Sequence, residues 1–216
     1  MVEHVYRRAS DARLVDAVAV ATDDARIAEA VSGFGGTAIL TKAAHPTGTD
    51  RLAEVAARLE SDIVVNVQGD EPLMTGTAID SAVRLLSEAP DAVMGTLRRR
   101  LDSAADLASP DVVKVVVDSE GYALYFSRSA IPFVRPGAAR PLFWRHIGLY
   151  SYRRTFLLEL AGLGPTPLEQ AEGLEQLRAL EHGYRIRTAE TDAEAIGVDT
   201  PEDLERVKRA LHAAMR

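Results

Sequence analysis

The sequence predicts an α/β protein: a Rossmann-like, mostly parallel sheet covered by helices on both faces, with a β-hairpin lobe inserted into it. Three observations carry that expectation. Short runs rich in β-branched residues alternate with segments of helical period between residues 15 and 97, the rhythm of a βαβ series. Beyond residue 111 the rhythm changes to two alternating runs joined by Asp118-Ser119-Glu120-Gly121, a hairpin signature. The chain has 216 residues, enough for one large core, so residues 1–216 are read as a single domain with residues 111–150 as the inserted lobe.

Each element follows from its local pattern. Val2, Val5, Tyr6 and Ala9 fall at helical spacing, so the chain opens in an amphipathic helix. Residues 15–21 ("VDAVAVA") read as a buried strand, and Thr22 caps a helix over 24–32 that Gly33 stops. Residues 37–40 form a strand, and 51–60 a helix with Leu52, Val55, Ala56 and Leu59 on one face. A strand over 63–67, a helix over 77–87 and a strand over 92–97 continue the series. The hairpin pairs residues 112–117 with 122–126, and 144–150 is a further strand. "PLEQAEGLEQLRALEHG" reads as one helix with Pro167 near its start and Gly183 at its end. A strand over 184–188 follows, then a helix capped by Thr200, with Pro201 at its first position and Asp203 in the capping-box slot.

Composition excludes several classes. Hydrophobic residues make up 47% and charged residues 26%, so the chain is globular and not disordered. A net charge of −7 argues against a nucleic-acid or membrane-surface partner, each of which favours a basic face. Cysteine is absent, which removes disulfides, thiolate nucleophiles and Cys-ligated zinc. No apolar run reaches the ~20 residues of a spanning helix. "MVEHVYRRAS" lacks the apolar region of a signal peptide, so a cytoplasmic protein is expected.

Six stretches offer chemistry, and each has a bland reading beside it. "VVNVQGDEPL" ends a strand on Gly69, Asp70 and Glu71: a carboxylate aimed into a ligand crevice, or a solvated loop charge. "HPTGTDR" puts Gly48 ahead of a helix and Arg51 in its first turn, an anion site or an ordinary cap with a surface Arg. Arg128 stands where the hairpin ends, able to grip a carboxylate or to make a surface salt bridge. His146 lies in an apolar strand, more often a core histidine than a ligand. Glu169 and Glu172 share one face of a helix start, by default as dipole-complementing carboxylates. Asp199 precedes the Thr200 cap, a second carboxylate at a strand-to-helix transition or a second capping side chain. No His/Cys cluster, Walker loop, G-x-S-x-G or G-x-G-x-x-G is present.

Taken together, "ATDD", "HPTGTDRLAEV", "VVNVQGDEPL", "VKVVVDSEGYALYFSRSAIPF", "RHIGLYSYR", "PLEQAEGLEQLRALEHGYRI" and "GVDTPEDLERV" occur in the order found in the 3-deoxy-manno-octulosonate (KDO) cytidylyltransferases. The chain resembles that family over nearly its whole length. The resemblance implies the nucleotide-diphospho-sugar transferase fold and the activation of KDO with CTP to CMP-KDO and pyrophosphate, for lipopolysaccharide biosynthesis. It implies Mg²⁺ held by Asp70 and Asp199, with Gly48, Arg51 and Gln68 on the nucleotide side. Arg128, His146, Tyr150, Glu169 and Glu172 are implied on the sugar side, Arg128 pairing the carboxylate. A homodimer is the expected assembly. A CMP-sialate-type or other sugar nucleotidyltransferase would share the metal logic and differ in the sugar pocket. Family members begin with a strand and a basic phosphate-binding loop ahead of the helix that resembles residues 1–9 here, so the expectation is a start at an internal Met or a fragment. A true loss of that loop would leave a non-catalytic dimeric relative.

Overall fold

A computed structural model describes residues 1–45, 47–194, 197, 198 and 200–214, of 212–214 the backbone only. Helix α1 (Val2–Ser10) buries Val5 and Ala9, one turn apart, while Glu3 and Arg7 pair on its outer face. Strand β1 (Val20–Thr22), helix α2 (Ala25–Gly33) and strand β2 (Ala38–Leu40) follow, and β1 pairs with β2 in parallel as a two-stranded sheet. Asp24, not Thr22, caps α2 by accepting from the Arg26 N–H. Next come α3 (Gly48–Ala56), β3 (Ile63–Asn66), α4 (Gly76–Glu88), β4 (Met94–Arg100) and α5 (Ala104–Ala108). The hairpin is β5 (Lys114–Val117) and β6 (Ala123–Ser127), and the long strand is β7 (Trp144–Arg153). The chain ends in α6 (Arg154–Gly162), α7 (Pro167–Glu172), α8 (Gln176–Glu181), β8 (Ile186–Glu190) and α9 (Pro201–Ala214).

Strand β7 organises the main sheet. One edge pairs with β4 along its length; the other is shared, β5 lying beside Trp144 and Arg145 and β3 beside Tyr150 to Arg153. The full order is β6-β5-β7-β4-β8, with β3 also on β7. The α/β class holds, with helices on both faces, but the expected mostly parallel sheet is a mixed one. Strands β3, β4 and β8 do run the same way, as the βαβ series requires. The difference is β7, which is antiparallel to both β3 and β4 and is inserted between them. It is reached from β6 by residues 128–143, which form neither helix nor strand, so no crossover helix announces its position.

Two apolar layers result. Ala9, Ala12, Met74, Ala78, Ile79, Ala82 and Leu85 pack on Leu97, Ile147 and Leu149, placing α1 and α4 on one face. On the other face Ala53, Ala56, Phe156, Leu157, Leu160 and Leu177 cover Val64, Met94, Tyr152 and Ile186. A fully buried side chain of this kind stabilises the fold by about 1.5–3 kcal/mol.

Two local expectations are corrected and two helices are added. The strand over 15–21 is only Val20–Thr22, because β2 offers three residues to pair with it. The preceding turn is instead held by Asp80, whose carboxylate accepts from the N–H groups of Arg13 and Leu14, both at 2.9 Å. The helix over 167–183 breaks at Gly173, which takes a left-handed φ of 63°. Leu174 and Leu177 are buried in the core beyond the break, whereas Leu168 on α7 stays exposed. Helices α5 and α6 add to the expected elements: Ser103 caps α5 by accepting from the Asp106 N–H, whereas α6 begins directly at the end of β7 with no side-chain cap.

The β4–β7 ladder holds one irregularity that bears on function. Thr96 pairs with Tyr150 but Leu97 pairs with Ile147, so Gly148 and Leu149 bulge out of register.

Candidate active site

A cleft of about 270 Å³ opens on the face covered by α3, α6 and α8. Its walls are Gly48 and Thr49 at the start of α3, Asn66 and Gln68 at the end of β3, Tyr150 and Tyr152 on β7, and the α7–α8 junction from Gly173 to Gln176, with Arg178. Thr47 caps α3 by accepting from the Asp50 N–H, which fixes the helix terminus that faces the cleft. Burial holds the hydroxyls of Tyr150 and Tyr152 above the usual tyrosine range, so both stay neutral donors. The buried Gln176 amide nitrogen lines this space without a hydrogen-bond partner. A larger depression, 610 Å³, lies between Asp91, Tyr122 and Arg185. Its charges are already matched: Arg185 pairs with Asp91 and Glu120 and stacks over the Tyr122 ring. The smaller cleft, with its unspent donors, is the better ligand site.

The hairpin end and α7 are joined by a polar clasp. The Glu172 carboxylate accepts from Ser127 Oγ at 2.6 Å and from the Arg128 N–H at 2.9 Å. These bonds outweigh the cost of burial and hold Glu172 below the usual carboxylate range. Arg128 Nε donates to the Glu172 carbonyl at 2.7 Å and Nη1 to the Pro110 carbonyl at 3.0 Å. Beneath them Lys114 is fully buried, its Nζ donating to the carbonyls of Ser109 and Val112 at 2.8 and 2.5 Å and also to that of Arg128. Glu169 is placed differently. Its two oxygens take Arg178 Nε and Nη2 at 2.8 and 2.5 Å, and it accepts from the Thr166 N–H.

His146, Tyr150 and Tyr152 lie in a row along β7, with ring centroids 5.4 Å and then 6.1 Å apart. Phe126 meets the far side of His146 edge-on at 4.9 Å. His146 is buried, and burial, helped by Arg145, pushes its pKa down to about 3.

At the other end, Asp70 follows β3, and its carbonyl accepts from the Val198 N–H at 3.0 Å. That bond brings the segment leading to Asp199 against Asp70; Asp199 itself lies outside the described residues. Glu71, next to Asp70, has its Oε2 buried without a partner, and burial followed by the Asp70 charge pushes its pKa up to about 7. Among the described residues no group of three or more His, Asp or Glu forms a ready metal cage. Arg51 does not line the cleft; it donates to Thr41 Oγ1 at 2.6 Å and pairs with Asp23 at 2.8 Å.

Comparison with known proteins identifies the family. The cytidylyltransferase family model matches residues 1–187. The 3-deoxy-manno-octulosonate cytidylyltransferase of Geotalea uraniireducens is 57% identical over 98% of this chain and 88% of its own. That of Solibacter usitatus is 51% identical over 100% of this chain and 85% of its own. The solved structure of CMP:2-keto-3-deoxy-manno-octonic acid synthetase complexed with CTP superposes with a TM-score of 0.92 at 44% identity, covering 100% of this chain and 88% of that one. This chain belongs to the 3-deoxy-manno-octulosonate cytidylyltransferase family. The fold extends further: a 4-diphosphocytidyl-2C-methyl-D-erythritol synthase from Anaerococcus prevotii superposes at 0.63 with 12% identity, a likeness of fold alone.

Within this cytidylyltransferase the structure brings Gly48, Gln68 and Tyr150 to one cleft and joins Arg128 to Glu172. It pairs Glu169 with Arg178 and Arg51 with Asp23. The sequence reading assigns no site role to Thr49, Asn66, Tyr152, Gln176 or Arg178; Glu71 it names only beside Asp70, through the adjacent carboxylates of "GDEP".

Proposed function

We propose that this cytidylyltransferase transfers the cytidylyl group of CTP to the anomeric hydroxyl of KDO, releasing pyrophosphate and supplying CMP-KDO for lipopolysaccharide biosynthesis. The observation that carries this reading is one cleft bounded by a helix N-terminus and β3 on one side and by the β7 tyrosines and the α7–α8 junction on the other. In the transfer, the sugar oxygen bonds to the α-phosphorus as the bond to the pyrophosphate oxygen breaks in line, and the hydroxyl proton leaves to solvent. Such reactions depend on positioning and charge neutralisation more than on a protein nucleophile.

The α3 N-terminus, with Gly48 and Arg51 in its first turn, suits the anionic nucleotide. Gln68 stands where an amide can pair with a base or sugar hydroxyl. Arg128, its Nε and Nη1 already anchored to backbone carbonyls, presents its remaining donors in a fixed orientation to the KDO carboxylate. Tyr150, neutral, donates to sugar hydroxyls, and Glu172 fixes the Arg128 backbone. Glu169 acts through Arg178, which it orients on the cleft wall.

The donor set fits Mg²⁺: hard carboxylate oxygens at Asp70, a partnerless Glu71 oxygen beside it, and the Asp199 segment tied to Asp70 through Val198. Asp70 and Asp199 would hold the ion, which would supply charge neutralisation for the triphosphate. A homodimer is supported by Leu124, Phe133 and Leu142, large apolar side chains exposed on and beside the hairpin lobe. No helix among the described residues is long and apolar enough to cross a membrane.

Pyrophosphate release measured with CTP and either KDO or sialic acid tests the assignment. Turnover with KDO alone supports it. Turnover with sialic acid would reassign the sugar pocket, and silence with both would make the protein a non-catalytic relative.

A further inference from the structure

The β7 bulge is closed by one side chain that no catalytic role has absorbed. Thr96 is fully buried on β4, and its Oγ1 lies 2.9 Å from the Leu149 carbonyl, 3.1 Å from the Ile147 carbonyl and 2.9 Å from His146 Nε2. The two carbonyls converge there because Gly148 and Leu149 fall out of the β4–β7 register.

A hydroxyl has one proton to give and two lone pairs to receive with, whereas a carbonyl oxygen only accepts. The Thr96 proton therefore goes to the Leu149 or Ile147 carbonyl, or is shared between them. It is not available to His146. The 2.9 Å contact with His146 is then a bond in which Nε2–H donates and Thr96 Oγ1 accepts.

We propose that Thr96 is a positioning residue that fixes His146 as the Nε2–H tautomer, so that His146 Nδ1 is a hydrogen-bond acceptor reserved for a hydroxyl of the sugar acid. This rests on the sugar-side role that the family resemblance implies for His146, whose ring lies 5.4 Å from that of the cleft-lining Tyr150. A neutral imidazole holds a single ring proton, and with Nε2 committed the lone pair resides on Nδ1. The doubly protonated form, which would donate from both nitrogens, is suppressed by burial and by Arg145. Among the described residues Nδ1 makes no hydrogen bond, and the ring cannot turn freely between Phe126 and Tyr150. The consequence is selectivity by direction. A ligand group that donates a proton is accepted at this point, and a carboxylate or phosphate oxygen is refused, which leaves anion recognition to arginine.

The direct test is long-range ¹H–¹⁵N correlation on the full-length ¹⁵N-histidine protein, free and with KDO plus CDP as an unreactive nucleotide. The expected result is an Nε2–H tautomer at His146 in the free protein, and a shift of its Nδ1 resonance on adding KDO. An Nδ1–H tautomer, or an Nδ1 resonance indifferent to KDO, overturns the proposal. Thr96→Val should raise KM for KDO about tenfold, the scale of one lost hydrogen bond, with KM for CTP little changed. Thr96→Ser, which keeps the hydroxyl, should restore both the tautomer and KM; a serine variant that behaves like valine refutes the role given to the hydroxyl. His146→Phe separates the two levels: an unchanged KM for KDO in that variant would remove His146 from the sugar site even with the Nε2–H tautomer observed.

Discussion

Glu169 and Arg178 close on each other across the break between α7 and α8, with paired contacts of 2.8 and 2.5 Å and both side chains buried. The pair ties the helix start at Thr166 to a cationic wall of the cleft, so one carboxylate serves both architecture and site. Removing one partner of a buried pair leaves an uncompensated charge. Glu169→Gln should therefore lower unfolding stability by about 3–5 kcal/mol, read as a fall in the urea midpoint. A loss below about 1 kcal/mol, of the size seen for exposed pairs, together with a large rise in KM for KDO, would make Glu169 a direct sugar ligand instead.

Arg128→Lys keeps the charge and loses the fork. Two of its guanidinium donors already hold the Glu172 and Pro110 carbonyls, so a lysine can neither replace that anchoring nor grip a carboxylate bidentately. KDO binding should weaken by about 1–3 kcal/mol while CTP binding is nearly unaffected, both measured by calorimetry. Equal losses for the two substrates would move Arg128 out of the sugar pocket.

Asp70→Asn and Asp199→Asn each remove one charge from the proposed metal site at nearly constant shape. Each should cut turnover by a factor on the order of 100 or more, as loss of a principal electrostatic group does, and should shift the Mg²⁺ midpoint for activity upward. Near-normal activity at limiting Mg²⁺ in either variant would leave that Asp as a helix cap.

His146 also makes stability depend on pH. Its folded pKa is about 3 against an ordinary 6.5, so between those values the unfolded chain binds a proton that the folded protein refuses. The unfolded state then gains protons as pH falls, and stability is fully present above about 6.5 and is lost progressively toward pH 3. The slope approaches about 1.4 kcal/mol per pH unit within that window. Glu71, raised to about 7, contributes the opposite slope above pH 4.5, so in urea unfolding from pH 7 to pH 4 the wild type should differ from His146→Phe by about this slope. Parallel slopes would mean that His146 ionises freely when folded.

Most of the elements were legible from period and punctuation, because those signals are local. The alternation of residues 114–117 with 123–127 across a Gly121 turn requires a hairpin wherever it sits in the molecule. Thr200 with Pro201 announces α9 in the same way, and Thr200 accepts from the Asp203 N–H as the capping box demands. The motifs also place Asp70, Gly48 and Arg128 at element ends, where ligand residues are held by the backbone itself.

Tertiary structure alone decided what those signals do not encode. The direction and place of β7 depend on which strands receive it, and that partner choice sets the bulge at Gly148 and Leu149, hence the meeting of Thr96 with His146. The break at Gly173 is silent in the leucine spacing, which continues through it although Leu168 on α7 is exposed and Leu174 and Leu177 are buried. The partners of Glu169 and Arg51 were likewise hidden, since a carboxylate or guanidinium announces its charge in the sequence but not which opposite charge, brought near by folding, will satisfy it once water is excluded.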